Sequence, residues 1–411
     1  MIGAGVYTTS GFTLADLGTP TRVLIAWIVG GVIAICGAIS YGALASRFTS
    51  SGGEYLFLSR AIHPAAGYVA GFVSILAGFT GATAFAATAF ESYLPKWELI
   101  ADLPSGTIAC VVIALGALMH GLYARLGTPI QDVMVVGKFV LLLLFFGVAT
   151  SCYPESWKGL ELNVAPGAFP WMTFAVSLMW ISLSYSGFNA AIYIASEVKR
   201  PEINVPRSLW IATSLVTVVY VLLNFVFVFA PAFDEVAGQE QIAVIAARSI
   251  GGTSFEGLVR AVLLVSLATS VSAMMMSGPR VYAKMADDGV LPKWFRFQKH
   301  APTTAIMIQA LLAIAVVCVS DLRQLLSYLG FTLSICAALS VATLFLLRLR
   351  GDKVHVPFYP WPPLIFVIGT LMVASIAAVR KPEECIAGVA TLAVGLVVYI
   401  VTRRRSPATS N

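Results

Sequence analysis

Ser182-Leu183-Ser184-Tyr185-Ser186-Gly187-Phe188-Asn189 is a polar, glycine-bearing run inside an apolar stretch, residues 170–196, long enough to cross a bilayer as a helix. A bilayer core about 30 Å thick takes about 20 apolar residues in a helix. Backbone facing lipid cannot leave its hydrogen bonds unmade. A run of Ser, Tyr, Gly and Asn at that depth therefore predicts an interrupted helix, with its freed backbone groups turned to protein or to a ligand. The first apolar stretch, residues 1–15, holds a second glycine cluster, Gly3-Ala4-Gly5, with Gly11 a turn and a half later. Glycine lets the chain leave helical geometry at little steric cost. These are the first and sixth apolar stretches, five apart, as two five-helix repeats of opposite topology would place them.

The remaining stretches lie near 22–46, 65–93, 105–123, 130–151, 208–230, 257–283, 303–319, 325–348, 359–379 and 384–402. The expectation is an all-α polytopic membrane protein with twelve spans, eleven full and one partial. Its expected parts are a first repeat over 1–151 (helices 1–5), a second over 169–348 (helices 6–10), helices 11 and 12 over 357–402, and a basic tail at 403–411. Met1-Ile2-Gly3 offers no charged leader segment, so the partial span is not a signal peptide. It reads as the second half of a helix whose first half is absent.

Composition excludes most other classes. Of 411 residues, 58% are hydrophobic and 11% charged, with a mean hydropathy of +0.87, whereas a soluble chain carries about 25% charged residues. An ordinary soluble enzyme, a disordered protein and a nucleic-acid binder are thereby ruled out. The net charge of +6 is explained by basic loops on the cytoplasmic side. With the N-terminus inside, 17 of the 26 Lys and Arg residues fall on that side and eight on the other, with Lys138 within the fifth span. That bias predicts twelve spans with both termini cytoplasmic, and the expected location is the cell (inner) membrane, as a multi-pass protein. Six cysteines and four histidines form no CxxC or Cys/His cluster, so neither a metal nor a cofactor is expected.

Two interrupted helices can hold a zwitterion. Its carboxylate takes amides at a half-helix N-terminus, and its ammonium takes the freed carbonyls. The competing reading of either cluster alone is close helix packing, the commoner use of small residues in membranes. Lys138 lies eight residues into its span, about 12 Å from the inner end at 1.5 Å per residue. An ion at that depth is costly and is a functional candidate by default. It is read either as a proton-coupling group or as a static tether to carbonyls of helix one or to Ser266, Thr269 and Ser270. Glu91 reads as an interface carboxylate, and Glu197 with Lys199 as either a gate ion pair or a solvated helix end. An intramembrane enzyme would need a Ser/His dyad, paired aspartates or HExxH. No such motif is found, and His63, His120, His300 and His355 are placed at loops. A channel's polar stripe or filter repeat is also missing. An amino-acid sensor that does not transport remains the rival reading.

Four motifs in order resemble one family. Ile2-Gly3-Ala4-Gly5-Val6-Tyr7 resembles the glycine-rich first helix of the amino acid–polyamine–organocation superfamily of permeases, and Ser51-Gly52-Gly53-Glu54-Tyr55-Leu56 its second loop. Ser186-Gly187-Phe188-Asn189-Ala190-Ala191, continuing through Glu197-Val198-Lys199-Arg200-Pro201 to Asn204-Val205-Pro206-Arg207, is similar to its sixth helix and following loop. Gly278-Pro279-Arg280-Val281-Tyr282, with Met285-Ala286-Asp287-Asp288-Gly289-Val290-Leu291-Pro292, is similar to its eighth-helix exit. The likeness covers residues 1 to about 300 and is strongest to bacterial permeases related to the L-type amino acid transporters.

The resemblance implies two inverted five-helix repeats plus two trailing helices, and secondary active transport of an amino acid, as symport or as exchange. Gly3, Ala4 and Gly5 would hold the substrate carboxylate. Ser184, Tyr185, Ser186 and Gly187 would face its ammonium or line the pocket with Leu183, Phe188 and Asn189. The family often has an aromatic gate where this chain has Leu183, and a tryptophan where it has Phe188. Lys138 resembles a lysine that in some members stands where related transporters bind sodium, which implies protons as the coupling ion. The animal L-type transporters join a heavy subunit through a cysteine between spans three and four. Residues 94–104 contain none, so no disulfide-linked heavy subunit is expected. Amino acid, protons and lipid are the expected partners.

Overall fold

A computed structural model describes residues 1–95, 102–151, 169–320, 322–380 and 382–405. Lys96, Lys158, Lys381, Cys152 and the tail beyond residue 405 lie outside the described residues. Among the described residues the chain is helical and forms no sheet. Helix α1 spans Ala4–Leu17, α2 Pro20–Arg47, and the short α3 Gly53–Ala61. Helix α4 (Pro64–Val73) runs through a π-helical stretch, Ser74–Gly81, into α5 (Ala82–Tyr93). Then come α6 (Thr107–Gly121), α7 (Ala124–Ser151) and α8 (Trp171–Ser184), the last followed by a 3-10 segment, Ala190–Glu197. The longer elements that remain are α9 (Pro201–Phe229), α10 (Ile242–Asp287), α11 (Thr303–Val319), α12 (Leu322–Leu349), α13 (Trp361–Arg380) and α14 (Pro382–Arg405), with a single helical turn at Phe233–Val236 and a 3-10 turn at Lys293–Phe295. Seven of the described helices are long and apolar enough to cross a membrane, and four shorter ones are equally apolar.

Local chemistry sets the ends of these helices. Proline stands at the first turn of α2 and α4, where its missing N–H costs nothing. Thr19 accepts from the Arg22 amide (3.4 Å) and His63 Nδ1 from the Ala65 amide (3.1 Å). Gly18 closes α1 in the left-handed region with φ 71°. Glu91 does more than sit at an interface. Its carboxylate accepts the Gly106 and Ala109 amides (2.7 and 2.8 Å), so it caps α6 across the loop and satisfies donors the helix cannot.

Helix α1 is continuous from Ala4 to Leu17. Within it Gly11 admits the 230–241 segment: the Gly238 amide donates to the Gly11 carbonyl (2.8 Å), and a Cβ on Gly11 would overlap the Gln239 carbonyl. Two expectations from the sequence are corrected. The eighth stretch begins earlier than expected, at Ile242, because a kink at Gly251 (φ −134°, ψ 20°) and Gly252 (φ 65°, ψ −157°) joins an outer helical piece to it. His120 lies in α6 rather than at a loop. It is buried, and its Nε2 is 2.7 Å from Ser272 Oγ on α10.

Packing between helices relies on small residues and aromatic rings, as it must where lipid supplies no hydrophobic drive. Gly42 of α2 lets Pro206 of α9 approach, with a hypothetical Cβ 3.1 Å from the Pro206 Cα. Trp27, Tyr185 and Tyr220 stack tilted or edge-on with centroids 5.0–5.8 Å apart. The outward face of α7 is apolar, with Val133 and Leu143 each 72% exposed. Such a surface in water would be an aggregation site, and in a bilayer it is solvated. The loops carrying α3, residues 121–123, 287–302 and 349–360 mark one end of the molecule, called the α3 end below.

Candidate functional site

A cavity of about 250 Å3 lies where α1 begins and the sixth apolar stretch breaks. The break falls within the stretch that its polar residues predicted. Helix α8 ends at Ser184, residues 185–189 form turns, and the 3-10 segment starts at Ala190. Gly187 sits at φ 94°, a conformation that side chains disfavour, which is the physical need for glycine here. Short hydrogen-bonded turns replace the helix, with Ser186 N donating to Leu183 O (2.9 Å) and Ala190 N to Gly187 O (3.0 Å). On the facing side, Gly3 is extended and caps α1 with no side chain. The first-turn amides of α1 have no acceptor within their own helix, and Gly3 and Gly5 share the cavity lining with the turn in the sixth stretch.

The structure brings the sequence candidates together. Gly3, Gly5 and every residue from Leu183 to Asn189 line the cavity, while Ala4 opens α1. Their side chains divide by role. Ser184 is buried, with Oγ donating to Trp180 O (3.1 Å) and lying 3.2 Å from Thr9 Oγ1 on α1. The Tyr185 hydroxyl donates to Trp27 O on α2 (3.1 Å). Ser186 is exposed. Phe188 packs edge-on against Tyr41 and Phe366, at 5.2 and 5.8 Å. The three glycines differ as well. A Cβ on Gly5 would overlap Ser184, so Gly5 sets how closely α1 meets α8. A Cβ on Gly3 would come within 2.7 Å of the Ser270 hydroxyl, and one on Gly187 would find ordinary contacts at 3.5 Å or more. Packing and cavity lining therefore coincide at Gly5, and its substitution acts first through the helix contact rather than by filling empty space.

Lys138 on α7 is buried. Its ammonium donates to Ile2 O just ahead of α1 (3.4 Å) and to Thr269 Oγ1 on α10 (3.3 Å), joining three elements. Ser266 and Ser270, the other expected partners, instead bond elsewhere: Ser270 Oγ donates to Ser266 O (2.9 Å) and Ser266 Oγ is 3.4 Å from the Tyr7 hydroxyl. Glu197 pairs with Arg280 of α10 (2.6 and 3.1 Å) rather than with Lys199.

Other lining groups carried no sign in the sequence of belonging to this site. The π-helical stretch contributes Ser74, Gly78 and Phe79, α10 contributes Met274 and Ser277, and α12 contributes Leu329, Leu333 and Cys336. A wide turn of this kind often marks a functional position. Glu54 is the single acidic or basic side chain among the described lining residues. The acid in a double-glycine loop was its only signal. Nearby, Tyr55 donates to Asp288 Oδ2 (2.9 Å), and burial followed by that carboxylate pushes its phenol well above the ordinary range, so it stays a donor.

Comparison with known proteins agrees with this geometry. The sequence profile described as "Amino acid permease" matches residues 1–401. The chain is 26% identical to the large neutral amino acids transporter small subunit 2 of Rattus norvegicus, covering 98% of this chain and 78% of that protein. It is 24% identical to the serine/threonine exchanger SteT of Bacillus subtilis (strain 168), covering 98% and 94%. It is 23% identical to the Asc-type amino acid transporter 1 of Mus musculus, covering 98% and 78%. A profile that matches nearly the whole chain, over a helical core broken at its centre, leads to one statement: the chain belongs to the amino acid permease family.

Proposed function

We propose that the protein is a secondary active transporter that carries neutral amino acids across the cell membrane by alternating access. The observation that supports this most is the meeting of the uncapped first turn of α1 with the non-helical turn 185–189 in one cavity. Amides of Gly3, Ala4 and Gly5 take the substrate carboxylate, and carbonyls of the turn at 184–187 take its ammonium. The substrate side chain lies against Phe79, Phe85, Leu329 and Leu333. Glu54 does not argue for a cationic substrate, since its carboxylate is already engaged by Tyr41, Asn189 and Tyr193. Similar proteins named for large neutral amino acids and for serine and threonine point the same way.

The layout follows the family: twelve spans, with inverted repeats over 1–151 and 169–348, helices 11 and 12 over 357–402, and a basic tail. Both termini and the α3 end are cytoplasmic, in the inner membrane. The protein works without a disulfide-linked subunit, because residues 94–104 hold no cysteine. It is a carrier and not an enzyme, a reading supported by similar proteins named as transporters and an exchanger. Lys138 couples transport to protons: charged, it bridges Ile2 and Thr269, and neutral, it lets α1 and α10 part. Exchange is the second reading, favoured by the bacterial relative named as an exchanger.

Uptake of a labelled amino-acid panel into proteoliposomes, with and without a pH gradient and internal substrate, tests these readings. Neutral amino acids should accumulate with an imposed proton gradient. Uptake that required internal substrate and ignored pH would make the protein an exchanger. Arginine or a polyamine competing far better than alanine or leucine would overturn the substrate class. Substrate binding with no flux under any gradient would make it a sensor.

A further inference from the structure

Glu54 is 7% exposed at the N-terminal turn of α3, on the cavity floor at the α3 end. Gly52 (φ 145°) and Gly53 (φ 55°) lead into it in conformations that favour glycine. A Cβ on Gly53 would also overlap the Tyr193 ring, so the double glycine brings α3 directly onto the 3-10 segment. Three groups donate to the carboxylate: the Tyr41 hydroxyl from α2 (3.0 Å), the Asn189 amide (2.7 Å), and the Tyr193 hydroxyl (2.9 and 3.2 Å to its two oxygens). Asn189 also donates to the Tyr193 oxygen (2.8 Å), so both its protons are used. No basic side chain is among the donors, and the nearby Lys284 is paired with Asp288 (2.5 Å). A second tie runs beside the first, Ser51 Oγ lying 2.6 Å from Ser196 Oγ and accepting the Ser196 amide (3.2 Å).

Of the three donors, Tyr193 lies in the 3-10 segment beyond the break, Asn189 is the last residue of the break and the N-cap of that segment, and Tyr41 comes from α2, next to α3 in sequence. We propose that Glu54 is the latch of the substrate path at the α3 end: its bonds to Asn189 and Tyr193 hold the 3-10 segment against α3, and release of substrate to that side requires breaking them. This rests on the alternating-access reading above. The latch uses charge-assisted bonds, which are stronger than neutral ones when buried. It is also reversible, because water can replace both donors at the carboxylate once the segment swings away. With three protein donors already on its carboxylate, Glu54 acts on the path and not on the substrate.

Cys336 lines the same cavity and is buried, which makes it a native reporter. The other five cysteines (Cys36, Cys110, Cys152, Cys318 and Cys385) are replaced by serine. Labelling of Cys336 by a membrane-impermeant maleimide is then timed from each side of sealed vesicles of both orientations. Glu54→Gln should speed labelling from the α3 side about tenfold, the loss expected for a buried hydrogen bond to a charged group, and should not speed it from the other side. Tyr193→Phe, which removes one donor across the contact, should speed it less and add little to Glu54→Gln. Tyr41→Phe, whose hydroxyl does not cross the contact, should leave the rate unchanged. Equal effects of Tyr41→Phe and Tyr193→Phe, or an unchanged rate in both Glu54→Gln and Tyr193→Phe, would overturn the latch. Should Glu54→Gln fail to fold, the two tyrosine variants decide alone. Protection of Cys336 by added leucine and alanine tests the substrate site separately, so loss of protection counts against the transport reading while the variant rates still judge the latch.

Discussion

At the α3 end the chain from the last residue of the break onward is tied by side chains: Glu54 to Asn189 and Tyr193, Ser51 to Ser196, and Arg280 to Glu197. At the opposite end the 230–241 loop is tied largely through backbone. Gly238 N donates to Gly11 O (2.8 Å), and the Tyr93 hydroxyl donates to both Glu240 O (2.7 Å) and Tyr7 O (3.1 Å). Side-chain ties that carry charge can be exchanged for water one at a time. A loop seated on a glycine with no room for a methyl group has to leave as a unit. The two ends are thus held by different chemistry, although both bear on helices around one cavity.

The largest effect is expected where the two halves touch directly. Gly5→Leu should abolish substrate binding, because its side chain would force α1 away from Ser184. Isothermal titration or scintillation proximity with a labelled neutral amino acid reads this, and normal binding would remove Gly5 from the site. Lys138→Ala comes next, since Lys138 ties α7 both to Ile2 and to Thr269. It should lose proton-driven accumulation while keeping measurable binding. Full proton-driven uptake would reduce Lys138 to a tether.

Smaller effects separate the two ends. Gly11→Ala places a methyl group against the Gln239 backbone, which no rotamer can relieve. Overpacking of this kind costs about 1–3 kcal/mol and should lower the melting midpoint in detergent, with no faster labelling of Cys336 from the α3 side. Arg280→Gln should be the mildest. Its partner Glu197 is half exposed, and such pairs are worth about 0–1 kcal/mol. An unchanged melting midpoint is the expected result, and a large drop would mean that the charged tie at residue 197 carries more of the α3 end than Glu54 does.

Legibility differed residue by residue. The break at 185–189 was visible because polar residues and glycine at mid-membrane depth contradict a continuous lipid-facing helix. Lys138 stood out for the same reason; its partners are Ile2, just ahead of α1, and Thr269 on α10. The role of Gly11 was not legible, because a glycine that breaks a helix and one that admits a neighbouring segment look the same in a sequence. His120 was misplaced because its position near the end of α6 resembles a loop until Ser272 is seen across from it.

The sequence by itself determined the membrane class, the apolar stretches and the interruption in the sixth, since each follows from local hydropathy and backbone chemistry. Only the tertiary structure decided which residues close around the cavity. Glu54 meets Asn189 and Tyr193 across 135 and 139 residues of chain, and Lys138 meets Ile2 across 136. Nothing local distinguishes a glutamate in a glycine-rich loop that faces water from one that three donors surround. That distinction exists only once the helices have packed, because burial and hydrogen-bond geometry belong to the assembled helices and not to the chain.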